Sequence, residues 1–262
     1  MGRRLRWLGK KILLAGETWV TSATHYKGFD QFGSVTFHSG AKGMMAVLAD
    51  TEFELTHMPA HQAVEEFPFT LAGLSAYDAV LLSDIGANSL LLHPDVWLNG
   101  KTVANRLALL RDWTAQGGAL AMFGGYLSFQ GIDGKARWHR TPVEQALPVE
   151  CLPYDDRIEI PEGFRPQVEP ARRGHALFKG ITGEWPQLLG INEVKVKPEG
   201  EVLARLPEAA GGHPLLVTGQ YQQGRTLVWT SDISPHWLPQ SFMDWPGYKQ
   251  LLINMLTWLT QK

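Results

Sequence analysis

Cysteine is almost absent from this chain: Cys151 is the single one in 262 residues. A lone thiol excludes an intramolecular disulfide and fits a reducing compartment. Charge of one sign is lacking too. Lys and Arg number 24 against 26 Asp and Glu, giving a formal net charge of -2 and a pI near 6.5. No basic excess argues for nucleic acid, and no acidic tail argues for a charged partner. Long apolar runs are missing as well, none approaching the roughly 20 residues of a membrane span. The opening segment carries Arg3, Arg4, Arg6, Lys10 and Lys11, but the apolar stretch behind it, Ile12–Ala15, is only a strand's worth. It reads as a solvated arm leading into a first strand, not as a signal peptide. Internal repeats, low-complexity tracts and clean linkers are likewise missing. These absences predict a soluble cytoplasmic protein without nucleic-acid or membrane partners, and they leave its oligomeric state open.

Glycine, by contrast, is plentiful. The stretch Gly117–Gly131, GGALAMFGGYLSFQG, stands out. Its first glycines stop a helix, Ala119–Phe123 forms an apolar strand, and Gly124-Gly125 breaks that strand. Glycines at the carboxyl end of a buried strand offer backbone N–H groups and room for a close ligand.

Along the chain, apolar runs predict strands at Lys11–Leu14, Phe53–His57, Ala79–Leu82 and Ala119–Phe123. Between them, Ser39 is a candidate cap for a helix to about Asp50. Ala60–Ser75 has room for one helical turn. Lys101–Gln116 carries Val103, Leu107, Leu110 and Trp113 at helical spacing. This alternation predicts an α/β fold with a mostly parallel sheet covered on both faces. Residues 132–190 read as a loop-rich insertion in a single domain spanning 1–262. Thr141-Pro142-Val143-Glu144 marks a helix start within it. Further strands are expected at Glu193–Lys197, Glu201–Leu206, Pro214–Gln220 and Arg225–Thr230. The last two are joined as a hairpin by Tyr221–Gly224, and a helix follows over about Gly247–Leu259.

In open α/β sheets, ligands bind outside the carboxyl ends of the strands. Those ends carry Glu17 and Trp19, Ser83 and Asp84, Gly124 to Tyr126, and Ser231 and Asp232, with His236 just beyond. Glu17, Trp19, Asp84, Gly124, Gly125, Tyr126 and Asp232 are therefore the expected ligand-binding residues. Ser128 and His236 are the candidate catalytic pair, with Asp232 or Asp84 orienting the histidine. Ser128 lacks the first glycine of a G-x-S-x-G elbow, and a serine bonded to its own loop backbone accounts for it better. Cys151 follows no strand–glycine turn and reads as a small buried hydrophobe. His57 and His61 have i,i+4 spacing, but Pro59 interrupts it. The other histidines show no ligand pattern, so neither a metal nor a cofactor is implied. Trp113 and Trp258 read as core, while Trp19, Trp138, Trp237 and Trp245 either wall a pocket or pack loops.

Three segments together resemble a known family. Gly118–Val149, the opening KILLAGETW with the strand end YDAVLLSDIG, and the tail from Gly224 through the turn SDISPHW to the final helix are similar to the glutamine amidotransferase-like proteins of the class I superfamily. The resemblance implies a flavodoxin-like three-layer sandwich with its site at the carboxyl edge. It departs at the chemistry. The superfamily's glutaminases place a cysteine inside G-x-C-x-G and a glutamate two residues after the histidine; here stand Phe123-Gly124-Gly125-Tyr126 and Leu238. Glycine cannot replace a thiolate nucleophile. Three readings follow: a non-glutaminase member binding a small polar or anionic ligand, with Gly124 and Gly125 donating N–H groups; a serine-type ester or amide hydrolase using Ser128 and His236; or a protein-interaction module using the surface of Ile132–Glu184.

Overall fold

The computed structural model describes residues 9–261, so the basic arm expected ahead of Gly9 lies outside the described residues. Strand β1 (Lys10–Gly16) is followed by β2 (Thr18–Lys27) and β3 (Asp30–Ser39), then helix α1 (Lys42–Leu48) and β4 (Phe53–Met58). Next come α2 (Ala60–Glu66), α3 (Leu71–Leu74), β5 (Ala79–Ser83), α4 (Ala87–Leu91), α5 (Pro94–Trp97), α6 (Arg106–Ala115) and β6 (Ala119–Phe123). The middle of the chain adds α7 (Pro142–Ala146), β7 (Val149–Cys151), β8 (Arg157–Phe164), β9 (Gln167–Val168), β10 (Leu188–Asn192) and β11 (Val194–Val196). It closes with β12 (Glu201–Arg205), β13 (Pro214–Tyr221), β14 (Gly224–Trp229), α8 (Gln240–Met243) and α9 (Pro246–Thr260).

Eight strands form one sheet in the order β4-β1-β5-β6-β14-β13-β12-β9. From β4 to β14 the pairs are parallel, and from β14 outward they are antiparallel. The C-terminal hairpin thus extends the main sheet, a point the sequence left open. The central strands β5 and β6 are buried at every position because both faces are covered, whereas β4 at the edge carries Glu54, Thr56 and His57. Ile12 and Leu14 face one layer with Leu81, Ala121 and the Leu251, Leu252 and Met255 face of α9. Leu13 and Ala15 face the other with Val80, Leu82, Leu107, Leu110 and Trp113. The result is the expected three-layer α/β sandwich.

Several local expectations need correcting. Helix α6 begins at Arg106, not Lys101, because the Asn105 side chain caps it by accepting from the Leu107 and Ala108 N–H groups. Helix α1 begins only at Lys42, with Ser39 closing β3 instead of capping. Strand β10 ahead of Asn192 was not expected; it pairs with β8, and Asn192 itself lies opposite Arg157. The largest departure is the turn after Gly16, which opens into the ten-residue strands β2 and β3, paired only with each other and turning at Gly28 with φ of +66°.

Candidate active site

The site is built from the turns that follow parallel strands. Glu17 leaves β1 with φ of +54°, and Asp84 leaves β5 with φ of +44°. Non-glycine residues seldom adopt this left-handed backbone, which costs about 1–3 kcal/mol and recurs at functional sites. Asp232 and His236 follow β14. With Trp19, Tyr126, Leu127, Ile132, Ser234 and Pro235 these four residues line a cleft of about 570 Å³ at the carboxyl edge of the sheet. A larger groove of about 760 Å³ lies far along the sheet beside β9. Its lining pairs Arg205 with Glu169 and Arg165 with Glu184.

Within the cleft, acidic groups crowd together. Glu17 is buried, with Ser83 Oγ donating to Oε1 at 2.5 Å and Ser234 Oγ to Oε2 at 3.2 Å. Burial, then the charges of Asp84 and Asp232, push its pKa up to about 8, against the partial relief of the two hydroxyls. Asp84 accepts the Leu127 N–H at 2.8 Å. Burial and the Asp232 charge nevertheless raise its pKa to about 6. Asp232 Oδ2 takes both the Trp237 N–H and His236 Nδ1 at 2.8 Å. A carboxylate can only accept, so Nδ1 carries the proton and Nε2 is the titrating nitrogen. Burial works against the imidazolium, but the Asp232 hydrogen bond and the charges of Asp232, Glu159 and Asp84 outweigh it, and the His236 pKa is raised.

Aromatic rings frame these groups. Tyr126 meets His236 edge-on at 4.3 Å, and Trp237 stacks on the imidazole at 5.1 Å. The Tyr126 hydroxyl donates to Glu159 at 3.2 Å, and the Arg157 guanidinium sits 5.0 Å from the Tyr126 ring centroid. Trp19 stacks on His38 at 5.1 Å. At neutral pH the arrangement offers a protonated carboxyl at Glu17, an ionised one at Asp84, and an imidazole held by Asp232. That set can donate, accept and relay protons.

The expected roles of three residues change. Neither glycine N–H is open to a ligand: Gly124 donates to the carbonyls of Trp229 and Ser231 at 2.8 Å, and Gly125 to Asn192 Oδ1 at 2.9 Å. The glycines serve close packing instead. A Cβ on Gly125, whose φ is +140°, would lie 2.9 Å from Asp84 Oδ1 and 3.0 Å from Asp232 Oδ1. Ser128 is buried, its Oγ accepts the Asp84 N–H at 3.0 Å, and it neither lines the cleft nor bonds to His236. Of the loop tryptophans, Trp138 and Trp237 are buried and only Trp19 lines the cleft. Cys151 is buried in β7, where burial and the Glu144 and Asp156 charges hold its thiol well above the ordinary range.

Sequence reasoning missed the supports. Asn192 also donates to Asp156 Oδ1 at 2.8 Å, and Asp156 accepts the Gln130 and Gly131 N–H groups at 2.7 and 2.9 Å. Together they pin the glycine loop. A lone asparagine closing an apolar strand was the available signal. Ser234, Arg157 and Glu159 had none. Among the described residues no cluster of His, Cys, Asp and Glu is arranged to hold a metal.

Comparison with known proteins agrees with this architecture. The cytoplasmic protein STM3548 of Salmonella typhimurium is 36% identical, with a TM-score of 0.90 over 96% of this chain and 99% of its own. STM1381 from the same species is 38% identical, with a TM-score of 0.89 over 96% of this chain and 100% of its own. A thuA-like protein of Parabacteroides merdae shares the fold at 10% identity, with a TM-score of 0.56 over 97% and 90% of the two chains. No curated protein matches significantly in sequence. A family model described as "putative glutamine amidotransferase" matches residues 11–261, and the chain belongs to that family.

Proposed function

We propose that the carboxyl-edge cleft binds a small polar ligand, neutral or cationic, through Glu17, Asp84, Asp232 and His236, and that the protein does so without glutaminase activity. The observation that carries this reading is the crowding of three carboxylates, two of them on left-handed backbone, in one aromatic-walled cleft. Such strain and charge repulsion destabilise the fold and persist at sites with a function. An anionic ligand, also expected from the sequence, would meet Asp84 and Asp232 with both glycine N–H groups already engaged. A neutral hydroxyl- or amide-bearing ligand, or an amine, would donate to them instead. The thiol that glutaminase chemistry needs does not line the cleft, since Cys151 is buried in β7. The hydrolase reading lacks comparable support, because Ser128 is buried outside the cleft lining and makes no hydrogen bond to His236. Location is part of the same proposal: the two Salmonella relatives are named cytoplasmic proteins, and among the described residues no helix is long and apolar enough to cross a membrane.

The test is a thermal-shift and calorimetric screen of neutral polyols and amides, amines, and carboxylates or phosphates. Binding is expected among the first two classes, weakened about tenfold or more in Asp84→Asn, a loss of about 1.4 kcal/mol. Binding confined to anions, or binding indifferent to Asp84→Asn, would overturn the proposal.

A further inference from the structure

The β2–β3 hairpin leaves one apolar face without a partner among the described residues. Its register places Val20 opposite Phe37, Ser22 opposite Val35, Thr24 opposite Gly33 and Tyr26 opposite Gln31, all on one face. On the other face the side chains engage each other. Trp19 stacks on His38 and His25 on Phe32, while His25 bonds Ser34 and Thr36 bonds His38. The first face has no ring stacking or side-chain hydrogen bond within it: Val20, Tyr26, Val35 and Phe37 are 59%, 74%, 71% and 55% exposed, against 45% and 51% for Trp19 and Phe32 on the other, and Phe29 at the tip is wholly exposed. Only the base is tied down, by Phe37 edge-on to His61 and by the Ala60 N–H on Thr18 Oγ1. An isolated two-stranded ribbon is marginal in water, so ten-residue strands of this kind call for a cover.

We infer that a second copy of this chain covers that face, and that the hairpin is a dimerisation arm. The face carries no charged residue between Val20 and Tyr26 or between Gln31 and Phe37, so nothing on it selects a charged partner or repels an identical one. The chain's net charge of -2 adds little repulsion between copies. Bulk lies toward both ends of this face, Phe37, Val20 and Val35 in the half near the base and Tyr26 with Gln31 near the tip, with Thr24 and Gly33 between. A two-fold axis through this narrow waist sets each tip against the other copy's base, the self-complementarity an isologous interface requires. The area suffices: scaled by their exposure, at roughly 150–250 Å² per whole aromatic side chain, Tyr26, Phe29, Phe37, Val20 and Val35 offer on the order of 600 Å² per copy, so two copies bury over about 1,000 Å², enough for a specific interface.

Analytical ultracentrifugation of the full chain tests this. Wild type is expected to sediment at twice the 29.2 kDa chain mass. Val35→Lys and Tyr26→Lys should each weaken the dimer about tenfold or more, since a buried lysine in an apolar seam costs over 1.4 kcal/mol. Both positions are exposed, so thermal melting of the variants should retain the cooperative unfolding of the sandwich. Amide exchange gives an independent reading: protection of residues 20–37 should rise with wild-type concentration and not in Val35→Lys. A monomeric wild type, including one whose arm is covered by another protein, or a dimer untouched by both substitutions, would overturn the inference.

Discussion

Glu17 is the residue whose chemistry departs furthest from its ordinary form. Its pKa rises from 4.5 to about 8 on folding, so the folded chain holds a proton that the unfolded chain releases across that interval. Stability from this group is therefore fully present below about pH 4.5, falls as pH rises, and is lost above about 8. Glu17→Gln removes the charge and keeps one oxygen acceptor; its amide NH2 stands where the other carboxyl oxygen was, so one of the Ser83 and Ser234 hydroxyls must turn to accept. The variant is expected to raise Tm more at pH 8 than at pH 5, by calorimetry; an equal change at both would show that the carboxyl is not buried as described. Gly125 makes the opposite case. Gly125→Ala puts a methyl against Asp84 and Asp232 on a backbone with φ of +140°, and should cost about 1–3 kcal/mol in denaturant unfolding.

At the scale of elements, buried polar groups join pieces that hydrophobic patterning alone would leave free to slide. Arg106 is almost wholly buried, and burial lowers its pKa to about 10. Its guanidinium donates to the carbonyls of Ala63, Val64 and Phe67 around the end of α2, and to Ser89 and Leu90 in α4. An ammonium group has three donors on a flexible stem and cannot fan out in this way. Arg106→Lys should therefore destabilise the protein by about 2–4 kcal/mol, read from the urea midpoint at unchanged slope. Asn192, at the end of β10, ties Asp156 to the glycine loop in a similar manner. Asn192→Ala strands the Gly125 N–H and leaves Asp156 Oδ1 with the Gly131 N–H alone, and should loosen Gln130 and Gly131 first, visible as faster amide exchange there than in β6.

For the whole molecule, the carboxyl-edge groups push stability in one direction with pH. Asp84 moves from 3.8 to about 6 and Glu17 from 4.5 to about 8, while the raised His236 contributes stability below its unfolded value that disappears as pH passes its folded one. All three favour the acid side of neutrality. The melting temperature should fall between pH 5.5 and 8.5, with the slope reduced in Glu17→Gln; a flat or rising profile would contradict the assignment. A ligand that donates hydrogen bonds to these carboxylates would offset part of their repulsion, so its stabilisation should grow with pH over the same interval.

Local pattern in the sequence determined the element types and their order. Strand runs such as Ala79–Leu82 and Ala119–Phe123 are apolar at every position, as strands buried on both faces must be, and glycines stop them. That much predicted the parallel sheet, its covered faces and the convergence of Glu17, Asp84, Tyr126, Asp232 and His236 at one edge. Tertiary structure alone decided how the backbone there is spent. The Gly125 N–H finds Asn192 across 67 residues, and Asp84 finds both Leu127 and Ser128. Such partners depend on which strands lie side by side, and no periodicity records that. The same holds for β2 and β3: with no layer among the described residues packed against either face, their pattern marks no core-facing side to read. A strand's own residues specify that it is a strand; only its neighbours specify which of its polar groups remain free.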